Sequence, residues 1–435
     1  MDLGDDRNLE DDAPRRPCDP RSKLYPPLRT GATRRIIEMQ NELRVKSIEL
    51  RDCNCFDEII IEFKNRYSLI CGTNGIGKTS ILNSIGAAFS NAYGVPLVKR
   101  RALTTEAGSV KISILANDIE INHTMKVETI DPVQTISYNS PLSTNAKQLI
   151  YLNTRRDFAY KKLDSVSRDA DRSTLQIQGA AEKGIDHGDT KNWFVNRFLF
   201  QHLPEKRPAE HIPNLQLAIK CFSFIDDGVK FEEVRSSTFD IMVRSINGIF
   251  PYEYLSSGYR SSLSLLLGII REIEFRNLGV DAESFSGVIL IDELDLHLHP
   301  TWQQRMPSAL RSTFPNAQLI VTSHSPHMIQ EALSDQVIAL TTDSEGHARH
   351  NVLTPGKYGF KGWTVEEILE HVMGLDDPQT TLYRDLIRKF DDAVDRESAR
   401  EVIALENEIE LLLHPSNPLI KLVKIQAAPF AGAVE

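Results

Sequence analysis

The feature that most constrains the fold of this chain is a glycine-rich segment, GTNGIGKT, at residues 72–79. It matches the pattern G-x-x-x-x-G-K-[ST]. An apolar stretch typical of a buried strand, YSLIC, precedes it, and a helix-like stretch, SILNSI, follows it. Glycines allow backbone N–H groups to wrap a phosphate, and the N-terminus of the following helix adds positive potential. A plain glycine-rich turn is the alternative, but the flanking strand and helix favour a phosphate-binding loop.

The residue types in this loop suit a nucleoside triphosphate. Lys78 would reach the β and γ phosphate oxygens, and the hydroxyl of Thr79 would bind Mg²⁺. The other candidates for lining the phosphates are Asn74, Gly75, Gly77 and Ser80. The loop therefore predicts ATP and Mg²⁺ as the cofactors.

Two acidic residues follow another apolar stretch. Residues 288–291 read as a buried strand, and Asp292 and Glu293 come directly after it. A carboxylate at the carboxyl end of a parallel strand lies near a phosphate loop, so Asp292 would hold Mg²⁺ and Glu293 would be the general base for the attacking water. A strand that simply ends in acids is the alternative, which the upstream phosphate loop disfavours.

A histidine follows a third apolar strand, in the segment LIVTSHSP. His324 would lie at the same edge of the sheet, within reach of the γ-phosphate or the attacking water. A lone histidine is more often structural, but its position after an adjacent strand favours a place in the site. Glu293 and His324 are therefore the predicted catalytic residues.

Strand-like and helix-like stretches divide the chain into regions. Alternating strand and helix patterns after residue 250 imply a parallel sheet with helical crossovers, whereas VKISILA, IEINHTMKV, QTISY and LIYLN read as antiparallel strands. The predicted regions are a flexible extension at 1–40, an ATPase lobe with antiparallel strands at 41–154, an inserted helical lobe at 155–250, a catalytic region at 251–345, and C-terminal helices with a tail at 346–435, the candidate for partner docking.

The composition argues against a protein coated in cations. The net charge is -10 and the pI is about 5.7, so any nucleic-acid contact must come from local patches or from a partner. The candidate patches are Lys99-Arg100-Arg101, Arg155-Arg156 and Lys161-Lys162, which read either as a DNA track or as ordinary solvated surface.

The cysteines and the hydropathy pattern point to the cytoplasm. There are five cysteines, an odd number with spacing poor for a disulfide framework, so a reducing compartment is expected. Cys53 and Cys55 resemble half of a metal site, but a second pair is missing. The sequence has no apolar run approaching the ~18 residues of a membrane span.

A serine-capped helix lies between the phosphate loop and the acidic strand. In LSSGYR, at residues 255–260, Ser256 is a good N-cap, and the apolar residues that follow recur at helical spacing. The order of the motifs resembles that of the ABC-type ATPases, in which this signature helix faces nucleotide bound to a second copy. The resemblance implies that Ser256 and Gly258 contact the partner copy's ATP, and that Asp295, in ELDLHLHP, lies at the same interface.

The resemblance implies an α/β fold: an ABC-type head with an antiparallel lobe, a parallel-sheet core, an inserted helical lobe and C-terminal helices. His297 and His299 are of a residue type that binds metals, but in a segment like this an interface loop is favoured over a metal site. Tyr259 replaces the usual Gln or Glu of the signature motif, which puts one phosphate contact in doubt. The Gln of the family's Q-loop is also unassigned, and the candidates are Gln148, Gln176 and Gln178.

Three segments narrow the resemblance: LSSGYRS, VILIDELDLHLHPTWQQR and FPNAQLIVTSHSP. They resemble the compact ATPases of the Septu and retron systems of bacterial defence, with overcoming-lysogenization-defect and RecF-like ATPases as wider relatives. The resemblance implies a homo-oligomer built from dimers and a separate HNH nuclease as partner.

Three functions remain open at this point. The chain could be a defence ATPase that regulates a nuclease, a RecF-like repair ATPase that binds DNA directly, or an ATP sensor with little hydrolysis. A nuclease constellation of its own is not found. The acids of FDDAVD, at 390–395, fall in an amphipathic helix, where a solvated face is the better reading.

Overall fold

The computed structural model describes most of the 435-residue chain. The predicted N-terminal extension, the strand QTISY, and residues Arg101, Arg156 and Lys161 lie outside the described residues. The described residues are 42–91, 97–100, 107–131, 139–155, 162–167, 169, 172–185, 189–203, 208–375 and 379–431.

An antiparallel sheet of four strands precedes and follows the phosphate loop in sequence. Its strands are paired in the order β2-β1-β4-β5. Residues in β1 and β4 alternate between buried and more exposed positions, which places one face of the sheet on the core. The strands are β1 (Leu43–Cys53), β2 (Phe56–Glu62), β4 (Gly108–Ala116) and β5 (Ile119–Val127).

A six-stranded sheet forms the centre of the molecule, in the order β13-β12-β3-β11-β10-β6. All neighbours pair in parallel except β12 and β13. Successive residues of β3 enter two different hydrophobic clusters, Leu69 one and Ile70 the other, so this sheet separates two cores. The strands are β3 (Tyr67–Gly72), β6 (Leu149–Leu152), β10 (Val288–Ile291), β11 (Gln318–Thr322), β12 (Val337–Thr342) and β13 (Ala348–Asn351).

One sequence prediction about this sheet was wrong. The segment LIYLN was predicted to be antiparallel, but β6 runs parallel to β10, with Leu152 opposite Ile291. Its four strand residues are all buried, as expected for a parallel strand covered on both faces. At the other side of the sheet, β13 adds an antiparallel edge strand.

The region at 155–250 contains strands as well as helices. Its three helices are α2 (Thr174–Lys183), α3 (Thr190–Leu199) and α4 (His211–Ile225). They are followed by a three-stranded antiparallel sheet, β7 (Lys230–Arg235), β8 (Asp240–Ser245) and β9 (Gly248–Pro251). The lobe is therefore of mixed composition, and β9 leads directly into the serine-capped helix.

The helices that flank the central sheet begin and end at clear signals. Ser256 caps the long helix α5, and Pro300 and Pro326 each stand at the first position of their helices, where a missing N–H is tolerated. These helices are α1 (Lys78–Ala88), α5 (Ser257–Phe275), α6 (Pro300–Thr313) and α7 (Pro326–Glu331).

The C-terminal helices form a small core of their own. Leu386, Phe390, Val402, Ile409 and Val423 are buried together in a cluster separate from the two main cores. The helices of this core are α9 (Thr381–Asp395), α10 (Ala399–Leu412) and α11 (Pro418–Ala427), whereas α8 (Val365–His371) packs on a main core through Ile368. Within the described ranges, no helix combines the length and the apolar character needed to cross a membrane.

Candidate nucleotide-binding site

The predicted phosphate loop joins the end of β3 to the start of α1. Gly75 and Gly77 have φ values of 78° and 105°, a left-handed region that side chains rarely tolerate. A Cβ at Gly77 would lie 2.4 Å from the Sγ of Cys55 and 2.4 Å from the ring of Phe56. The β1–β2 turn therefore packs directly against the loop, and both backbone shape and space require glycine at position 77.

Lys78 lies inside this loop and is 6% exposed. Its Nζ donates to the carbonyl oxygens of Gly72, at 3.0 Å, and Thr73, at 2.8 Å. Burial lowers the pKa of Lys78 below its ordinary value. The ammonium is thus held at the mouth of the loop by weak neutral acceptors, which a phosphate could replace.

Thr79 and Asp292 meet although they are far apart in sequence. The Thr79 hydroxyl lies 3.1 Å from Oδ1 and 3.0 Å from Oδ2 of Asp292, which is buried at the carboxyl end of β10. A hydroxyl and a carboxylate are the donors that Mg²⁺ takes from proteins, which supply only one or two carboxylates when phosphates complete its shell. This pair therefore fits the predicted Mg²⁺, which Thr79 and Asp292 would hold.

Glu293 adopts an unusual backbone conformation, with φ of 47°. Its N–H donates to the Thr322 hydroxyl at 2.7 Å, and the next residue, Leu294, donates to the Thr322 carbonyl at 2.8 Å. Its side chain is partly exposed at the same edge as Asp292. A carboxylate in this place has access to water and to a ligand in the loop.

His324 lies two residues beyond the end of β11 and approaches the phosphate loop. Its Nδ1 is 3.4 Å from the Nζ of Lys78, and its backbone N–H donates to Oδ1 of Asp295 at 3.1 Å. Burial, followed by the positive charge of Lys78, lowers the pKa of His324. This shift favours the neutral ring, in which one nitrogen donates and the other accepts.

The signature turn, residues 255–260 at the start of α5, has an exposed rim and a buried base. Ser256 and Ser257 are exposed, and the Ser256 hydroxyl accepts the N–H of Tyr259 at 3.3 Å. A Cβ at Gly258 would lie 3.0 Å from the Trp302 ring and 3.5 Å from the backbone nitrogen of His299. The base of the turn thus packs on the start of α6, while the two serines are exposed to solvent.

Tyr259 belongs to the core and does not extend the rim of this turn. It is 2% exposed, its hydroxyl donates to the carbonyl of Phe222 at 2.5 Å, and its ring packs edge-on against Trp302 at 5.8 Å. The residue that departs from the usual signature pattern therefore has a packing role in this chain.

We expect Tyr259→Phe to destabilise the protein without changing ATP turnover by more than about 2-fold. The change leaves the buried Phe222 carbonyl unpaired, which costs about 1–3 kcal/mol. Thermal unfolding and ATP hydrolysis by the purified variant check this. Tyr254→Phe, at an exposed tyrosine, is the matched control. Unchanged stability with a large loss of turnover would mean that Tyr259 faces the ligand.

None of the three candidate glutamines for the Q-loop lies at the site. Gln148 precedes β6, at the end of that strand opposite the phosphate loop. There its side chain accepts a hydrogen bond from Asn145. Gln176 completes the capping box of α2, and Gln178 is buried beside Ser143. The residue that follows β6 at the nucleotide edge is Asn153, and the carbonyl of Leu152 before it accepts the N–H of Asp292.

The cationic clusters are partly neutralised where the structure describes them. Arg100 pairs with Asp57 at 3.4 Å, and Lys162 pairs with Asp164 at 3.3 Å. Arg155 is exposed. An unscreened cationic track for DNA is thus not favoured by the described members of these clusters.

His297 and His299 lie in the loop between β10 and α6. The ring of His299 accepts the N–H of Thr301 and caps α6, and His297 is exposed with φ of 64°. Among the residues that the structure describes, no group of three or more His, Cys, Asp or Glu side chains is placed to hold a metal ion. The Thr79–Asp292 pair needs no such group, because phosphates supply its other ligands.

These features define a P-loop ATPase with an ABC-type head: an antiparallel lobe, a parallel core sheet and a signature helix. The family model "AAA domain, putative AbiEii toxin, Type IV TA system" matches residues 95–329, more than half of the chain. The Septu protein PtuA of Bacillus thuringiensis is 38% identical over 398 residues, which cover 90% of this chain and 100% of that protein. The chain belongs to the family of Septu PtuA ATPases.

Two other similarities are more distant. The Retron Ec83 probable ATPase of Escherichia coli is 29% identical over 66% of this chain, and the matched part is 56% of its length. Among solved structures, the SMC head domain from Thermotoga maritima is 16% identical, with a TM-score of 0.42, over 72% of this chain and 99% of that chain.

Proposed function

We propose that this chain is the ATP-binding and ATP-hydrolysing subunit of an anti-phage defence complex, in which it controls a separate HNH nuclease. One observation carries the ATPase part. Lys78, Thr79, Asp292 and His324, from three different strand ends, converge at one edge of the central sheet. Similarity to Septu PtuA over the full length of that protein supports the defence role.

In the proposed reaction, the loop binds the triphosphate and its neighbours prepare a water molecule. Backbone groups at Asn74, Gly75, Gly77 and Ser80 line the phosphates, and Lys78 neutralises their charge. Thr79 and Asp292 would hold Mg²⁺, which would stabilise charge on the phosphates. Glu293 takes a proton from the water as its oxygen bonds to the γ-phosphorus, and the bond to the β–γ bridging oxygen breaks to release ADP. The ring of His324 hydrogen-bonds the γ-phosphate or that water.

The exposed rim of the signature turn supports a site shared between two copies. Ser256 and Ser257 are exposed at the N-terminus of α5, where their hydroxyls and the positive dipole of the helix suit a phosphate. Asp295 accepts a hydrogen bond from the backbone N–H of His324. It would therefore connect the interface between the copies to the predicted catalytic residue His324. In this proposal each nucleotide lies between the loop of one copy and the signature turn of its partner.

Complementation between two inactive variants tests the shared site. We expect Lys78→Ala and Ser257→Arg each to abolish turnover alone. The first removes the phosphate ligand of a copy's own loop, and the second obstructs the turn with which a copy completes its partner's site. In an equimolar mixture of exchanging dimers, about half of the dimers would contain one copy of each variant. Each of these mixed dimers has two composite sites, of which one is intact. About a quarter of the wild-type turnover should therefore return. ATP hydrolysis measured before and after mixing reads this out.

Ser334→Arg is the matched control, because Ser334 is exposed next to β12 at the opposite edge of the sheet. It should remain fully active. A mixture that stays as inactive as its two components, with subunit exchange verified by labelled chains, would contradict a shared site.

The C-terminal helices are the proposed docking region for the nuclease, a PtuB-like subunit. They have their own small core and still expose large apolar side chains, Leu411, Leu422 and Ile425, a pattern found at binding surfaces. Co-purification with the protein of the neighbouring reading frame tests this. A chain shortened before α9 should keep its ATPase activity and lose the partner; retention of the partner would place docking elsewhere.

A further inference from the structure

Thr322 is the last residue of β11 and lies between the two halves of the candidate site. The strand β11 pairs with β3, which carries the phosphate loop, on one side and with β10, which carries the acids, on the other. Thr322 is 0% exposed. The preceding residues of the strand, Leu319, Ile320 and Val321, are apolar and buried. A hydroxyl at position 322 is therefore a departure from the apolar packing of this strand.

The Thr322 hydroxyl makes two hydrogen bonds whose directions are fixed by chemistry. An ionised carboxylate can only accept, so the hydroxyl donates to Oδ1 of Asp292 at 2.7 Å. A backbone N–H can only donate, so the hydroxyl oxygen accepts from Glu293 at 2.7 Å. One buried oxygen therefore connects the predicted metal ligand to the backbone of the predicted general base.

The backbone of Thr322 adds a third contact. Its carbonyl accepts the N–H of Leu294 at 2.8 Å. Thr322 thus binds the peptide groups on both sides of Glu293, the residue with the left-handed φ of 47°. That conformation sets the direction in which the Glu293 side chain leaves the strand end.

We propose that Thr322 is a positioning residue that aligns Asp292 and Glu293 with each other. The inference rests on the proposed ATPase function. Asp292 also faces Thr79, at 3.0 and 3.1 Å, so a carboxylate held through Oδ1 by Thr322 keeps a defined orientation towards the loop. Thr322 is fully buried and its hydroxyl hydrogen-bonds with these two residues, so it acts through the two acids.

Thr322→Val and Thr322→Ser separate the hydroxyl from the packing. Valine has nearly the shape of threonine but leaves the Asp292 oxygen and the Glu293 N–H without this partner, whereas serine keeps the hydroxyl. We expect Thr322→Val to lower kcat about 10- to 100-fold with little change in KM, the range seen when a group that supports a metal ligand is removed. Thr322→Ser should restore most of the lost rate.

A second readout does not depend on turnover. In a Glu293→Gln background, the affinity for a fluorescent ATP analogue is measured with Mg²⁺ and with a chelator. We expect Thr322→Val to reduce the Mg²⁺-dependent gain in affinity about 10-fold or more, while the affinity in chelator stays the same. Thermal unfolding of each variant fixes a temperature at which all of them are folded.

The outcomes distinguish failure of the Thr322 inference from failure of the proposed ATPase function. Equal kcat and an equal Mg²⁺-dependent gain in Thr322→Val and wild type would overturn the inference while leaving the ATPase intact. Equal impairment of the valine and serine variants would show that the hydroxyl alone does not preserve the rate, and would overturn it as well. A wild-type chain that neither binds nor hydrolyses ATP would instead overturn the proposed function on which the inference rests.

Discussion

Lys78→Ala is expected to lose ATP binding by about 100-fold and to lose hydrolysis altogether. The Lys78 ammonium lies buried in the loop, held by the Gly72 and Thr73 carbonyls, and the triphosphate would replace these neutral acceptors with charged oxygens. A hydrogen bond to a charged group contributes about 1.5–3 kcal/mol, and more than one phosphate oxygen is within reach of this side chain. Equilibrium binding of a fluorescent ATP analogue gives the affinity directly.

The matched control is Lys64→Ala. Lys64 is exposed just before β3, at the edge opposite the loop, and makes a surface ion pair with Glu62 at 3.6 Å. Its loss should leave ATP affinity within about 2-fold, since exposed ion pairs contribute little. Normal ATP affinity in Lys78→Ala would refute the site itself.

Glu293→Gln is expected to keep ATP bound and to slow hydrolysis by about 100- to 10,000-fold, the usual contribution of a positioned general base. The amide keeps the size of the side chain and cannot take the proton. The backbone contacts that Thr322 makes on either side of this residue do not involve the side chain, so the geometry of the edge should be retained. Single-turnover hydrolysis and nucleotide occupancy after gel filtration separate the two effects.

Glu283→Gln is the control for this variant, because Glu283 is exposed before β10, away from the loop. Turnover that survives in Glu293→Gln would mean that another group activates the water. The same variant decides between an ATPase and an ATP sensor. If partner nuclease activity responds to ATP identically in wild type and Glu293→Gln, ATP binding is the switch and hydrolysis is not.

Much of the phosphate loop was predictable because its conformation depends on near neighbours. The glycine spacing predicted a loop whose backbone wraps a phosphate, and Gly75 and Gly77 have the left-handed backbone that glycine readily adopts. The strand before the loop and the helix after it were also predicted, and β3 and α1 confirm them. Similarly, the N-cap at Ser256 followed from local chemistry, and its hydroxyl accepts the N–H of Tyr259 as expected.

Residues that act through distant contacts were missed. Thr322 lies two residues before His324 in the sequence but was not singled out. The signal that could have identified it is a polar residue at the end of an apolar strand. The sequence did not reveal that β11 lies between β3 and β10. Tyr259 was considered only as a departure from the signature pattern, because its partners, Phe222 and Trp302, come from other parts of the chain.

The sequence by itself determined the phosphate loop, the capped signature helix and the strand ends that carry Asp292 and His324. Each of these depends on residues a few positions apart, where backbone preference and capping act. Only the tertiary structure decided the strand order, the parallel direction of β6 and the contacts of Thr322 with Asp292 and Glu293. The physical reason is that strand order follows from how distant segments bury their apolar faces together, which no short stretch of sequence encodes.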